Sequence, residues 1–176
     1  ELTDNVQFDS NYIERCYEDC VVSLNGCKNT AVSNCFFYQN GLRFHQHNCV
    51  LCNGEEFHIY NNMFCNFTYS AIRVGVHYSQ PHTFLCNGII ENNEIWYDST
   101  YINDFWKYTL MDSGAIYVAT INDGTIVRNN CIHDYTGMSD NRGIFCDDGT
   151  GNVMIYGNLI YNISNSYTID LRRTHI

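Results

Sequence analysis

Apolar and polar residues alternate over short stretches of this chain, and the alternation restarts around asparagine. The recurring unit is an apolar residue, two others, Asn, one other, then an apolar residue. Six copies fit, around Asn11, Asn34, Asn62, Asn93, Asn130 and Asn158, at intervals of 23, 28, 31, 37 and 28 residues. Apolar residues inside each copy repeat at period 2, which is a strand signal. A second apolar segment follows each copy, at 21–24, 41–44, 71–74, 115–118, 143–146 and 168–171. Each reads as inward, outward, inward, so every repeat carries two or three short strands. Helical periodicity is absent throughout. A propeller blade needs about four strands in roughly 40–45 residues, which is longer than these repeats allow.

The pattern therefore predicts an all-β fold, a right-handed parallel β-helix solenoid of about six coils, with residues 1–176 forming a single domain. Asn suits the point where each coil turns, because it tolerates left-handed backbone and bonds its own main chain. Stacked coil over coil, its side chains can also form a hydrogen-bond ladder.

Composition narrows the picture. The chain has 176 residues, 45% hydrophobic and 15% aromatic, enough for a sizeable core. Its net charge of −10 argues against nucleic acid as a partner, which wants a basic footprint. No apolar run approaches the ~18 residues that span a bilayer, so no membrane partner is expected. The ten cysteines are spread along the chain. Cys49 and Cys52 make the only tight pair, without a second pair at zinc-finger spacing, so free core thiols are expected and no metal. No cofactor motif is present. The chain begins at Glu1 without a signal peptide, so a fragment of a longer chain is expected, with end caps supplied by missing flanking domains or chains. Asn66 and Asn162 head matches to the glycosylation sequon, which arise by chance in an Asn-rich chain.

Three richer motifs stand in the C-terminal half: Asp112-Ser113-Gly114-Ala115-Ile116-Tyr117, Arg128-Asn129-Asn130-Cys131-Ile132-His133-Asp134 and Arg142-Gly143-Ile144-Phe145-Cys146-Asp147-Asp148-Gly149. From about residue 112 to 162 the chain resembles the pectate-lyase-like parallel β-helix enzymes, and most of all the β-helix glycoside hydrolases. The resemblance implies a secreted or cell-surface protein acting on a polysaccharide or oligosaccharide. The Asp-Pro-His-Asp motif of alginate epimerases and the Gly-His-Gly of polygalacturonases are missing. With only Lys28 and Lys107 present, a lysine-based lyase mechanism is disfavoured.

The second strand of each coil would display one outward column reading Ser23, Arg43, Arg73, Tyr117, Phe145, Asp170. Two residues on, the next column reads Asn25, His45, Gly75, Ala119, Asp147, Arg172, with His47, His77 and Asp148 just beyond. With coils about 4.8 Å apart, this face has the composition of a binding groove. Glycoside hydrolysis needs two carboxyl groups, roughly 5–9.5 Å apart. Asp147 and Asp170 should lie on the order of 8 Å apart. Asp148 adjoins Asp147, and like charges that close raise one pKa, as a general acid requires, although Asp-Asp-Gly is also a common turn. Asp112 is a further candidate, favoured by the resemblance. Substrate binding falls to Arg43, His45, Arg73, His77, Tyr117 and Arg172, joined by Trp106 from the aromatic stretch that also holds Tyr97, Tyr101, Phe105 and Tyr108. The alternatives are a lyase or epimerase using Arg73 with Tyr117 or a histidine, and a non-catalytic carbohydrate-binding or adhesin β-helix.

Overall fold

The computed structural model describes residues 4–23, 27–41, 47–75, 85–98, 112–135, 142–147, 149–164 and 167–172. These form nineteen short strands and no helix, arranged as a parallel β-helix. The first sheet stacks β1 (Gln7–Asp9), β4 (Ala31–Ser33), β7 (His58–Tyr60), β11 (Ile89–Glu91), β14 (Ile121–Arg128) and β17 (Gly151–Tyr156), with β10 (Leu85–Cys86) beside β14. The second stacks β2 (Tyr12–Glu14), β5 (Phe36–Asn40), β8 (Met63–Phe67), β12 (Glu94–Trp96), β15 (Cys131–His133) and β18 (Leu159–Tyr161). The third, which carries the site, stacks β3 (Val21–Ser23), β6 (Asn48–Cys52), β9 (Ser70–Val74), β13 (Ile116–Val118), β16 (Ile144–Cys146) and β19 (Ile169–Leu171). The chain visits the three sheets in turn, and each strand pairs in parallel with its counterpart a coil away.

The interior fills with apolar columns in register. Val32, Ile59, Ile90 and Val127 stack along the first sheet at no more than 1% exposure. Phe37 and Phe64 stack in the second with centroids 4.8 Å apart, and Ile72, Ile116 and Ile144 in the third.

Between the first two sheets the chain turns through one left-handed residue. Ser10, Asn34, Asn61, Asn92, Asn129 and Gly157 occupy that position, with φ between 52° and 68°. Asn recurs here because its short polar side chain tolerates a backbone that other non-glycine residues resist. The next residue forms the ladder. Asn93 Oδ1 accepts from the amide and the Nδ2 of Asn62, both at 3.0 Å. Asn130 serves Asn93 at 3.1 and 2.9 Å, and Asn158 serves Asn130 at 3.0 and 2.9 Å. Each Nδ2 of the three also donates to the carbonyl one coil back, as Asn93 does to Ile59 at 3.0 Å. One expectation needs correcting here. In the second copy the ladder position is Cys35, which donates its amide to Asn62 Oδ1, while Asn34 is the left-handed residue. The frame inferred for that copy was one residue out.

On the outer face of the first sheet, Glu91 joins two coils. Its carboxylate accepts from Arg128 Nε at 2.7 Å and lies 2.8 Å from His58 Nε2. The Arg128 hydrogen bond, with a lesser contribution from His58, holds the Glu91 carboxyl below its usual 4.5. A depressed carboxyl contributes stability that is present above 4.5 and is lost as pH falls through the folded value.

Two outcomes are expected. Asn93→Ala removes ladder bonds to both neighbouring coils and orphans the buried amide of Asn62, and should lower unfolding stability in a urea titration by about 3 kcal/mol. Glu91→Gln should flatten the acid limb of the stability profile: thermal melts from pH about 6 down to about 3 should fall less steeply than in the parent chain. An unchanged slope contradicts the assignment of that ion pair.

Candidate functional site

The site lies on the outer face of the third sheet. Register places Val22 opposite Leu51, Leu51 opposite Arg73, Arg73 opposite Tyr117, Tyr117 opposite Phe145 and Phe145 opposite Asp170. This corrects the column at its first two rungs. Ser23 is buried and points inward, opposite Cys52, and Val22 takes the outward place. The second-coil strand is β6, not the segment 41–44, so Leu51 stands where Arg43 was expected. Arg43 itself lies outside the described residues, as do His45, His77, Trp106 and Asp148. His47 is described, and its Nδ1 lies 3.2 Å from Asp19 Oδ2.

From Arg73 onward the next column, Gly75, Ala119, Asp147 and Arg172, continues the strand register. Each amide donates to a carbonyl of the strand one coil back: Gly75 to Cys52 at 3.0 Å, Ala119 to Val74 at 2.9 Å, Asp147 to Val118 at 2.9 Å and Arg172 to Cys146 at 2.8 Å. Gly75 is needed as glycine. Its φ is +91°, and a Cβ there would collide with the carbonyl oxygen of Ala119.

At the centre of the face sits a small aromatic cluster of Tyr69, Tyr117, Ala119 and Phe145. Tyr69 is missing from the sequence-derived candidates. It lies one residue before β9, and its hydroxyl donates to the backbone carbonyl of Asp112 at 2.8 Å. The Tyr69 and Tyr117 rings are 5.9 Å apart, and Tyr117 meets Phe145 edge-on at 5.0 Å. The Tyr117 hydroxyl donates to Asp147 Oδ2. Burial and that carboxylate together push the Tyr117 phenol well above its usual range. Tyr69 is raised too, first by burial and then by the Asp112 and Asp147 carboxylates, with Arg73 opposing. Two acids and one guanidinium thus surround one tyrosine pair.

Arg73 lies over the Tyr117 ring, its Cζ 5.0 Å from the centroid. Its Nε is buried without a hydrogen-bond partner. The other arginines behave differently. Arg142, a second residue that sequence reasoning missed, is fully buried, with its Cζ 4.1 Å over Phe145. It donates to Asp170 Oδ2 at 2.5 Å and to the Ser113 carbonyl at 3.4 Å, and contacts Asp112 at 3.5 Å. Arg172 reaches Asp170 at 3.2 Å and Asp112 at 3.7 Å. Asp170 is therefore the counter-ion of two guanidiniums.

Other expectations sort out on geometry. Tyr97 belongs to the core, 4% exposed and donating to the Phe67 carbonyl at 2.6 Å. His133 is on the second sheet, held by Asp134 at 2.8 Å and Glu94 at 3.3 Å between the stacked rings of Trp96 and Tyr161. Asn66 is fully buried, which removes its sequon from reach in the folded chain. Among the described residues no group of three His, Cys, Asp or Glu side chains could hold a metal ion.

Compared with known proteins, the chain matches no family model, no curated protein and no solved structure.

Asp170→Ala leaves the buried Arg142 guanidinium short of its nearest counter-ion. It should cost about 3 kcal/mol or more in a denaturant titration. Retained stability would show that Asp170 is free for chemistry.

Proposed function

We propose that this β-helix is a carbohydrate-active protein that hydrolyses glycosidic bonds of a polysaccharide on the outer face of its third sheet, with Asp147 and Asp112 as the working carboxyl groups. One observation carries the reading: Tyr117 bonds the Asp147 carboxylate, Tyr69 bonds the Asp112 backbone carbonyl, and the two rings pack 5.9 Å apart, so both acids border one tyrosine pair. Hydrolysis needs one carboxyl to protonate the leaving oxygen and another to activate water or attack the sugar. Asp147 accepts the Tyr117 hydroxyl, which fixes the orientation of its carboxylate, and this suits the base or nucleophile. Asp112 is the most exposed of the described acids here at 59%, open to a substrate from solvent. With Asp147 assigned as base or nucleophile, the proton-donating role is left to Asp112. Tyr69, Tyr117 and Phe145 pack together beneath these groups and hold them in place. The resemblance of 112–162 to β-helix glycoside hydrolases points the same way.

A second reading, a lyase or epimerase, is favoured by Arg73. A guanidinium with an unpartnered buried Nε beside a tyrosine is suited to neutralising a sugar carboxylate before proton abstraction.

A panel of neutral and acidic polysaccharides separates the readings. Release of reducing ends without ultraviolet-absorbing products is expected. Asp147→Asn and Asp112→Asn should each lower that release at least about a hundredfold with the fold intact by circular dichroism. Asp148→Asn, tested beside them, measures whether Asp148 is the second carboxyl in place of Asp112. Unsaturated products lost in Arg73→Ala would establish the lyase reading instead. Binding without turnover would make the face a carbohydrate-binding module. Full activity in both Asp147→Asn and Asp112→Asn overturns the proposal.

A further inference from the structure

Cys16 and Cys20 lie in the turn between β2 and β3, and Cys49 lies in β6, the strand that pairs with β3. Cys20 donates its amide to the Asn48 carbonyl at 3.2 Å, which carries the β3–β6 register back one residue from the Val21–Val50 pair. Cys20 therefore stands opposite Cys49. In-register neighbours on parallel strands have Cα atoms about 4.8 Å apart, inside the roughly 4.4–6.8 Å that a disulfide spans. The side chains are near enough to act on each other, for the Cys49 thiol raises that of Cys20, whose Sγ also lies 3.9 Å from the Glu18 carbonyl. Cys49 is 1% exposed, while Cys16 and Cys20 are only half-buried, so a small reagent reaches the cluster from the Cys20 side. The group does not qualify as a metal site. Sulfur–sulfur chemistry is what the arrangement allows.

We propose that Cys20 and Cys49 are a disulfide-forming pair that fastens the first coil to the second. The thiols of Cys20 and Cys49 lose two protons and two electrons, an S–S bond forms, and a low-molecular-weight disulfide such as glutathione disulfide is reduced to two thiols. Cys16 is the weaker alternative for Cys20. It is four residues away in the same turn, so a Cys16–Cys20 bond would close only a short local loop, whereas Cys20–Cys49 closes a whole coil and removes more freedom from the unfolded chain. The bond would act where it matters most. The strands of the first coil pair on one side only among the described residues, and Tyr12, Tyr17 and Val22 are 60%, 66% and 47% exposed. Burial raises the Cys16 thiol to about 11, and the neighbouring Cys49 thiol, with burial second, raises Cys20 higher still, so exchange at neutral pH is slow and the bond forms over hours or during folding.

The test needs no variant that could fail to fold. The full chain is incubated with glutathione disulfide at pH about 8.5, unfolded in an alkylating agent, digested and mapped by mass spectrometry. The expected result is the loss of two alkylatable thiols to a linked Cys20–Cys49 peptide, restored by dithiothreitol and still formed in Cys16→Ser. The linked chain should also resist limited proteolysis within its first coil longer than the reduced chain. Ten alkylatable thiols after prolonged incubation, or a Cys16–Cys20 peptide in place of Cys20–Cys49, overturns the proposal.

Discussion

Each coil takes its position from the coil beneath it, and the constraint that sets this position is the asparagine ladder. A strand of three residues has too few main-chain bonds to define its own register, and a slip of one residue would turn its apolar side chains outward. The ladder prevents the slip. Asn62, Asn93, Asn130 and Asn158 bond side chain to side chain and side chain to backbone at 2.9–3.1 Å, all but the last fully buried. A misplaced coil would leave several buried amides unpaired at once. That cost is what makes a stack of three-residue strands behave as one body.

The same register decides what the outer faces can do. Residues at matched positions sit one coil apart, too close to ignore each other. Arg73, Tyr117, Phe145 and Asp170 are such a column, and their order matters. The guanidiniums of Arg73, Arg142 and Arg172 settle over the aromatic rings between them, and Asp170 neutralises the two at the C-terminal end. A carboxylate at the end of a column of rings and cations is a structural counter-ion. A carboxylate at the next column, Asp147, escapes that pairing and meets a tyrosine hydroxyl instead.

The period and the strands were legible because the ladder is written in one residue type at one place. The slip in the second copy has a physical cause. Asn serves both as the left-handed turn residue and as the ladder residue, and in Ser33-Asn34-Cys35 only the first role is filled by Asn. A thiol in the ladder leaves no asparagine to mark the frame. The second-coil strand was misplaced for a related reason: the apolar stretch after Gly41 and the one at β6 both alternate, and only pairing with Val21–Ser23 distinguishes them. Within the site, Tyr69 and Arg142 were missed. Tyr69 and Arg142 lie just before β9 and β16, where no alternation says which way a side chain points. Their partners, the Asp112 carbonyl and the Asp170 carboxylate, come from other coils, 43 and 28 residues away.

The three faces of the solenoid are not equivalent. On the first sheet the polar groups close on one another, from His58 through Glu91 and Arg128 to the Tyr156 hydroxyl. On the second, Trp96, His133 and Tyr161 stand in a near-parallel stack that covers each ring with its neighbour. Both faces are satisfied from within. The third face buries Tyr69, Tyr117 and Phe145 on the outside of the sheet, where apolar area has no core to join, and sets beside them a guanidinium nitrogen that is buried and unpartnered. Burying a donor without an acceptor costs about 1–3 kcal/mol, and it persists where a ligand supplies what the chain withholds. Buried rings beside the Asp147 carboxylate and an Arg73 Nε without a hydrogen-bond partner among the described residues are the physical reason to test this face for a ligand.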